Sequence, residues 1–433
     1  MLYSKAAPKE SIVVKGARVL DPSTGVDEVL DVRVDEGVIV EVGTVLHPNG
    51  HRVVEGAGLL LAPAFVDPHV HLRTPGREDE ETIGTGTRAA AAGGYCAIFA
   101  MPNTEPVIDS AAVLGALVET AQKEAVIPVG FLAAITKGQQ GAELTEMGEL
   151  ADAGAAGFTD DGGPVESAGL LRRALQYSAV AGRTLAVHCE EPTLSRGGHM
   201  HEGEVSAELG FAGWPSVAES VMVQRDLAIA QYEDRPLHIL HVSARESVDG
   251  LRAARAASVR ATAEVTPHHL VLTDEAVRSL DANVKMNPPL RAEEDRKALI
   301  EGLKDGTLGA IATDHAPHAR HEKEVPFEAA PFGVTGLETA FASLFTNLVA
   351  PGLVPLETLI ERMSAGAARV YGLREPKIEV GAPANLVLLD TAASWRVTED
   401  AFHSRSKNSW LLGQKLQGQV RMTIAGGRVV HEG

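Results

Sequence analysis

The sequence predicts an α/β protein: a (β/α)8 TIM barrel with a small β-sandwich domain formed by both chain ends. Three observations carry this. Between residues 60 and 375, eight short apolar runs alternate with Ala- and Glu-rich stretches of helical period, the grammar of parallel strands and crossover helices. Residues 1–59 and 376–433 are instead β-branched runs broken by Gly, Pro and Asp. A chain of 433 residues, 45% of them hydrophobic, can bury a large core, and barrels of about 250 residues run as one domain.

The elements follow in order. SIVVKGARVLD, EVLDVRVDEG, VIVEVGTVL and HRVVEGAG are short strand-like runs separated by turn residues, the signature of a small antiparallel sheet. The barrel strands are placed on LAPAFVDPHVHL, YCAIFAMPN, VIPVGFLAAIT, AAGFTDD, TLAVHCE, LHILHVS, VRATAEVTPHHL and GAIATDHAPH. Helices are placed between them, on SAAVLGALVETAQKEA, GLLRRALQYSAVAG, VMVQRDLAIAQYE and ESVDGLRAARAAS. The C-terminal runs IEVGAPANLVLLD, SWRVTED and QVRMTIAGGRVVHEG return to strand grammar, and the Gly-Gly pair marks a hairpin. An open doubly wound sheet is the alternative for the middle. No GxGxxG or GxxxxGK(S/T) opens a helix, so nucleotide binding of those kinds has no support. The charged runs REDEE and RAEEDRK are expected on solvated loop or helix surface.

Composition excludes several classes. With 39 basic and 58 acidic side chains the formal charge is −19, which disfavours nucleic acid and anionic membranes as partners. Cys96 and Cys189 both lie inside apolar runs, so buried thiols are expected rather than a disulfide framework. The N-terminal stretch lacks an apolar signal region, and no segment approaches the ~20 apolar residues of a membrane span. These features predict a soluble, cytoplasmic protein.

In a barrel, chemistry belongs at the carboxyl ends of the strands. Run one, FVDPHVHLR, ends in His69 and His71, which alternate residues of a strand would project together. Run four ends in Asp160 and Asp161, run five in His188, run six in His241 and run eight in Asp314. Each alone reads more readily as a satisfied polar residue at a strand end. Together they make an N/O donor set suited to Zn²⁺, Mn²⁺ or Co²⁺. Six ligands exceed what one catalytic zinc takes, and suit two ions about 3.5–4 Å apart bridged by a carboxylate such as Asp161. Asp314, against the activated water, could take its proton and return it to a leaving nitrogen. Arg73, two residues after His71, would point into the same mouth on a continuing strand; alone it reads as a surface ion pair.

This pattern resembles the amidohydrolase superfamily. Within it, DPHVHLRTPG, MPNT, FTDDG, VHCE, TPHHL, MNPPLR and ATDHAPH, in order along nearly the whole chain, are similar to class I dihydroorotases. The resemblance implies reversible ring opening of L-dihydroorotate to N-carbamoyl-L-aspartate in pyrimidine synthesis. It implies two Zn²⁺ per chain, one on His69 and His71 and the other on His188 and His241. Asp161 would bridge, and Asp314 would be both ligand and catalytic acid/base. Arg73 and Asn103, with His318 beside them, resemble the anchors of the substrate carboxylate. Asn287 and the backbone of Phe332 and Gly333 resemble contacts to the ring amides, and His71 also borders the substrate. Much of the superfamily bridges its metals with a carboxylated lysine on strand four. AAGFTDDG has none, as in class I dihydroorotases, and nearby Lys137 is expected to be structural. A homo-oligomer is expected, and a complex with aspartate transcarbamoylase is open.

Other histidines are expected to stay out of the centre: His199 and His201 in a Gly-rich loop, His268 and His269 as packing residues, His315 turned away from Asp314. The stretch PHARHEKEVPFEAAPFG could cover the site as a loop. Two competing readings remain at this level. One is a hydantoinase or allantoinase, which would carry the strand-four lysine. The other is an inactive dihydroorotase-like scaffold for aspartate transcarbamoylase, which would have lost ligands.

Overall fold

The computed structural model describes residues 1–433. The chain opens with β1 (Ile12–Asp21), β2 (Val26–Asp35), β3 (Val38–Gly43), β4 (Arg52–Glu55) and β5 (Leu60–Pro63). The barrel strands are β6 (Phe65–Val70), β7 (Tyr95–Ala100), β8 (Val129–Ala133), β9 (Gly157–Thr159) and β10 (Thr184–Val187). A two-residue pair, β11 (Met200–His201) and β12 (Gly213–Trp214), stands aside, and β13 (Leu237–Ile239), β14 (Ala261–Val265) and β15 (Ala310–Ile311) complete the barrel. The chain closes with β16 (Leu386–Arg396), β17 (Lys415–Ala425) and β18 (Arg428–Glu432).

Each of the eight runs carries one barrel strand, in sequential order and all parallel, but the first run divides: its Leu61–Pro63 start, expected in the barrel, lies in β5, which pairs within the terminal sheet. Every residue of β6, β7 and β8 is buried, as expected of parallel strands covered on both faces, which read as unbroken apolar runs. The ring closes between the last strand and the first: Val70 pairs with His315, and the His71 amide donates to the His315 carbonyl at 2.8 Å. The four predicted helices form at Ala111–Glu124, Ala168–Ala181, Val217–Glu233 and Arg245–Ala256. Two more fill the ring at Ile83–Ala92 and Glu293–Asp305. The first starts at a capping box in which Thr82 and Thr85 satisfy each other's amides. No helix is long and apolar enough to cross a membrane.

The two chain ends build one eight-stranded sheet in the order β18–β17–β16–β5–β1–β2–β3, with β4 beside β1. The seam joining the ends is β5 against β16, where Leu61 faces Leu388 and Leu60 faces Leu389. This sheet is mixed rather than antiparallel. β4 and β5 run parallel to β1, because each reaches it by a crossover instead of a hairpin. The Gly-Gly hairpin is present: Gly426 and Gly427, with φ of 56° and 80°, form the two-residue turn between paired Ala425 and Arg428. The sheet has its own core, including Ile12, Val14, Val32, Leu386 and Ile424, separate from the barrel core.

The charged runs are not simply solvated. Glu80 and Glu81 in REDEE, and Arg291 and Asp295 in RAEEDRK, are buried. Each has a partner distant in sequence. Glu81, for instance, meets His315 and accepts from Ser404. A buried charge is tolerated only when paired in this way.

Candidate metal centre

The carboxyl ends of the strands bring His69, His71, Asp161, His188, His241 and Asp314 together at one mouth. His69 is the penultimate residue of β6 and His71 the residue just past it; the others follow β9, β10, β13 and β15 by one to three residues. Asp161 stands in the middle. Its Oδ2 lies 3.4 Å from His69 Nε2 and 3.5 Å from His71 Nε2. Its Oδ1 lies 3.3 Å from His241 Nε2 and 3.8 Å from His188 Nδ1. Asp314 Oδ1 lies 3.0 Å from His71 Nε2 and 3.4 Å from His69 Nε2. Two triads therefore have converging donor atoms: His69, His71 and Asp314, and His69, Asp161 and His241. His188 Nδ1 adds to the second, 2.9 Å from His241 Nε2.

The groups around these side chains fix which nitrogen faces inward. His69 Nδ1–H donates to Glu264 Oε1 at 2.7 Å. His71 Nδ1–H donates to Asn103 Oδ1 at 2.9 Å. His188 Nε2–H donates to Glu190 Oε2 at 2.9 Å. Each arrangement leaves the other ring nitrogen as a lone pair aimed at the mouth, the usual setting of a metal-binding histidine. Burial would raise the Glu264 carboxyl, but hydrogen bonds from His238 and His69 overcome it and bring it to about 2. Burial likewise opposes ionisation of Asp161 and Asp314, and where no metal takes the lone pairs it is the protonated form of the surrounding imidazoles, His69 foremost, that holds both well below the usual carboxylate range.

The donor set fits a metal. His69 Nε2 is fully buried with no hydrogen-bond partner, an arrangement that costs free energy unless something else takes the lone pair. The chemistry of four imidazoles and two carboxylates suits divalent zinc, manganese or cobalt. Three residues at this mouth also adopt left-handed backbone: Arg73, His241 and Asp314, with φ of 56°, 30° and 49°. For non-glycine residues such conformations cost roughly 1–3 kcal/mol each and cluster at functional sites.

A cavity of about 330 Å³ opens above the centre. All seven residues expected at the substrate line it: His71, Arg73, Asn103, Asn287, His318, Phe332 and Gly333. The route of Arg73 differs from expectation. β6 stops at Val70, and the positive φ of Arg73, not strand alternation, turns its side chain to the mouth. Its Nε lies 3.1 Å from the Pro317 carbonyl and 3.0 Å from Glu80 Oε2, which leaves the two Nη groups for the cavity. Asn287 presents a buried Oδ1 with no partner. Gly333 N–H is committed to the Lys285 carbonyl at 2.8 Å, so at this residue only the carbonyl can face a ligand. Its φ of 111°, with the position of a Cβ only 2.6 Å from Ala316 Cβ, demands glycine. His318 Nε2–H donates to the Phe332 carbonyl at 2.8 Å.

The remaining candidates lie elsewhere. Asp160 faces away from Asp161 and accepts from the amides of Ile135 and Thr136 at 2.8 and 3.0 Å, tying β8 to β9. Lys137 pairs with Glu143 at 2.6 Å. His201 lies 3.4 Å from Arg291 Nη1, and His199 stands edge-on to Phe211. His269 bonds Thr266 and the Pro288 carbonyl, and His268 is buried beside it. His315 bonds Glu81 at 3.1 Å and accepts from the Gly336 amide. Sequence reasoning missed Glu80, Glu190 and Glu264. Only Glu190, directly after VHC, carried a positional signal.

Comparison with known proteins adds the following. A family model described as Dihydro-orotase-like matches residues 58–247, and one described as Amidohydrolase family matches residues 221–431. The chain is 47% identical to a dihydroorotase of Pelotomaculum thermopropionicum, over 97% of this chain and 98% of that one. It is 43% identical to a dihydroorotase of Geobacter metallireducens, over 98% and 100%. Among solved structures it is similar to an L-hydantoinase (dihydropyrimidinase) from Arthrobacter aurescens, with a TM-score of 0.88, 25% identity and coverage of 98% and 96%. A dihydropyrimidinase from Brevibacillus agri, at 23% identity and a TM-score of 0.84, covers 98% and 95% and shares the fold.

Proposed function

The chain belongs to the dihydroorotase family, and from that premise we propose that it catalyses the reversible hydrolysis of L-dihydroorotate to N-carbamoyl-L-aspartate on a pair of zinc ions. The observation that carries this reading is the placement of Asp161, one oxygen toward His69 and His71 and the other toward His188 and His241. With Asp314 these residues would hold the metals. When bound, the ions supply Lewis-acid activation of water and of the amide carbonyl.

The protein's own groups do the rest. Arg73 offers its Nη edge as a two-pronged donor to the ring carboxylate. Asn103, whose Oδ1 is engaged by His71, keeps its amide NH₂ for the same carboxylate, with His318 beside it. Asn287 Oδ1 and the Phe332 and Gly333 carbonyls accept from the ring N–H groups. As water oxygen bonds to the amide carbon and the C–N bond breaks, Asp314 takes the water proton and delivers it to the ring nitrogen. The ring carboxylate is what separates this reading from a hydantoinase, whose fold the chain shares: Arg73 lining the cavity suits an acidic ring.

The test is turnover of L-dihydroorotate by the purified protein before chelation, after it, and after zinc return, with metal content assayed on the same samples. Activity that disappears and returns with metal is expected. Metal-loaded protein that turns over hydantoin but not dihydroorotate, alone or with aspartate transcarbamoylase added, would reverse the assignment.

A further inference from the structure

The loop after β6 returns to the mouth a carboxylate that the reading above does not use. Glu80 is 1% exposed, although its neighbours Glu78 and Asp79 face solvent. Its Oε2 lies 3.0 Å from Arg73 Nε. Its Oε1 lies 2.9 Å from Arg77 Nη2 and 3.2 Å from His318 Nδ1. One buried carboxylate thus touches two residues that line the substrate cavity, one on the loop after β6 and one on the loop after β15.

Glu80 is itself held in place. Its backbone carbonyl accepts from Ser406 Oγ at 2.7 Å, and Arg77 also reaches Glu322 at 2.6 Å, bracing the two loops against each other. The chemistry of the contact is specific. A guanidinium is a planar fork, so fixing its Nε, which donates to the Pro317 carbonyl and has the Glu80 charge beside it, fixes the direction of both Nη groups. Burial pushes the Arg73 guanidinium below the usual arginine range, and Glu80 is the foremost charge opposing that. Arg77 donates to the other oxygen at 2.9 Å, and Glu80 makes its close contact at Arg73 Nε, apart from the Nη edge that a ligand would need.

We propose that Glu80 is a positioning residue for substrate recognition, aiming the Nη groups of Arg73 at the carboxylate of the ring. This rests on the reading of Arg73 as a carboxylate anchor. Glu80 touches no reacting atom, so its effect belongs in KM and not in kcat.

The experiment uses the metal-loaded full chain with Glu80→Gln, which keeps shape, and Glu80→Asp, which keeps charge but withdraws it by one methylene. KM and kcat for L-dihydroorotate, metal content and melting temperature are measured, and Glu80→Gln is repeated in an Arg73→Ala background. Expected is a rise in KM of about tenfold, kcat within about twofold and unchanged metal content. With Arg73 already removed, the KM effect should shrink to within about threefold. An unchanged KM, or a full tenfold effect persisting without Arg73, overturns the proposal. If Glu80→Gln fails to fold, Glu80→Asp decides by the same two criteria. Wild-type enzyme inert on dihydroorotate would remove the substrate reading and this proposal with it, and is seen before any variant is made.

Discussion

The barrel mouth and the small sheet are built on opposite principles. In the sheet, aliphatic side chains alternate inward along β1, β16 and β17, and the buried set is almost wholly apolar. At the mouth, four imidazoles and two carboxylates crowd within a few ångströms of one another, and three of the residues there have left-handed backbone. The sheet spends its residues on stability and the mouth on chemistry. Substitutions should therefore separate the two: losses at the mouth should appear in turnover without melting, and losses in the sheet in melting without turnover.

The largest separation is expected from Asp314→Asn. An amide cannot carry the proton, so kcat should fall about 10²–10⁴-fold, while the melting temperature stays level or rises. Near wild-type kcat would break the assignment of Asp314 and the contrast with it. Leu386→Ala in the sheet should do the reverse. This side chain is fully buried, and truncation should cost about 2–5 kcal/mol in denaturant unfolding, with kcat/KM unchanged below the melting transition. A matching loss of turnover would show that the sheet controls the mouth.

Glu264→Gln tests the boundary between the two behaviours. It removes the charge behind His69 and His238 and should weaken metal binding about 10–100-fold, read by chelator competition. Retained affinity would mean that Glu264 serves packing alone. The smallest effect is expected where the segment 403–404 meets the barrel. There burial raises Glu338 to about 7, against amide hydrogen bonds from His403 and Ser404. A carboxyl raised above its unfolded value contributes stability that is whole below about pH 4.5 and is lost as pH rises through about 7. Glu338→Gln should flatten that part of the melting-temperature profile between pH 5 and 8; an unchanged slope would exclude it as the source.

The same contrast explains what could be read from sequence. The sheet and the barrel strands were legible because their apolar patterns are local. The six candidate ligands were legible because each lies at or just past the end of a strand, and His69 and His71 mark themselves by spacing. Glu80 and Glu264 were not. In REDEE and VRATAEVT they look like any surface glutamate, and their partners His318 and His69 lie 238 and 195 positions away. Arg73 was found for a reason the structure replaces, since a turn and not the strand aims it. The sheet's parallel strands were missed because the direction of a pairing is set by its connection, not by the pattern of the strand.

The seam between β5 and β16 has a consequence for synthesis. A ribosome delivers Leu60–Pro63 more than three hundred residues before Leu386–Arg396. Throughout that interval the outer edge of β5 has no partner, while the barrel it leads into is still being made. The nascent chain must shelter an open apolar strand until its other end arrives, which makes this edge the place where a chaperone, or a second nascent chain, would first take hold.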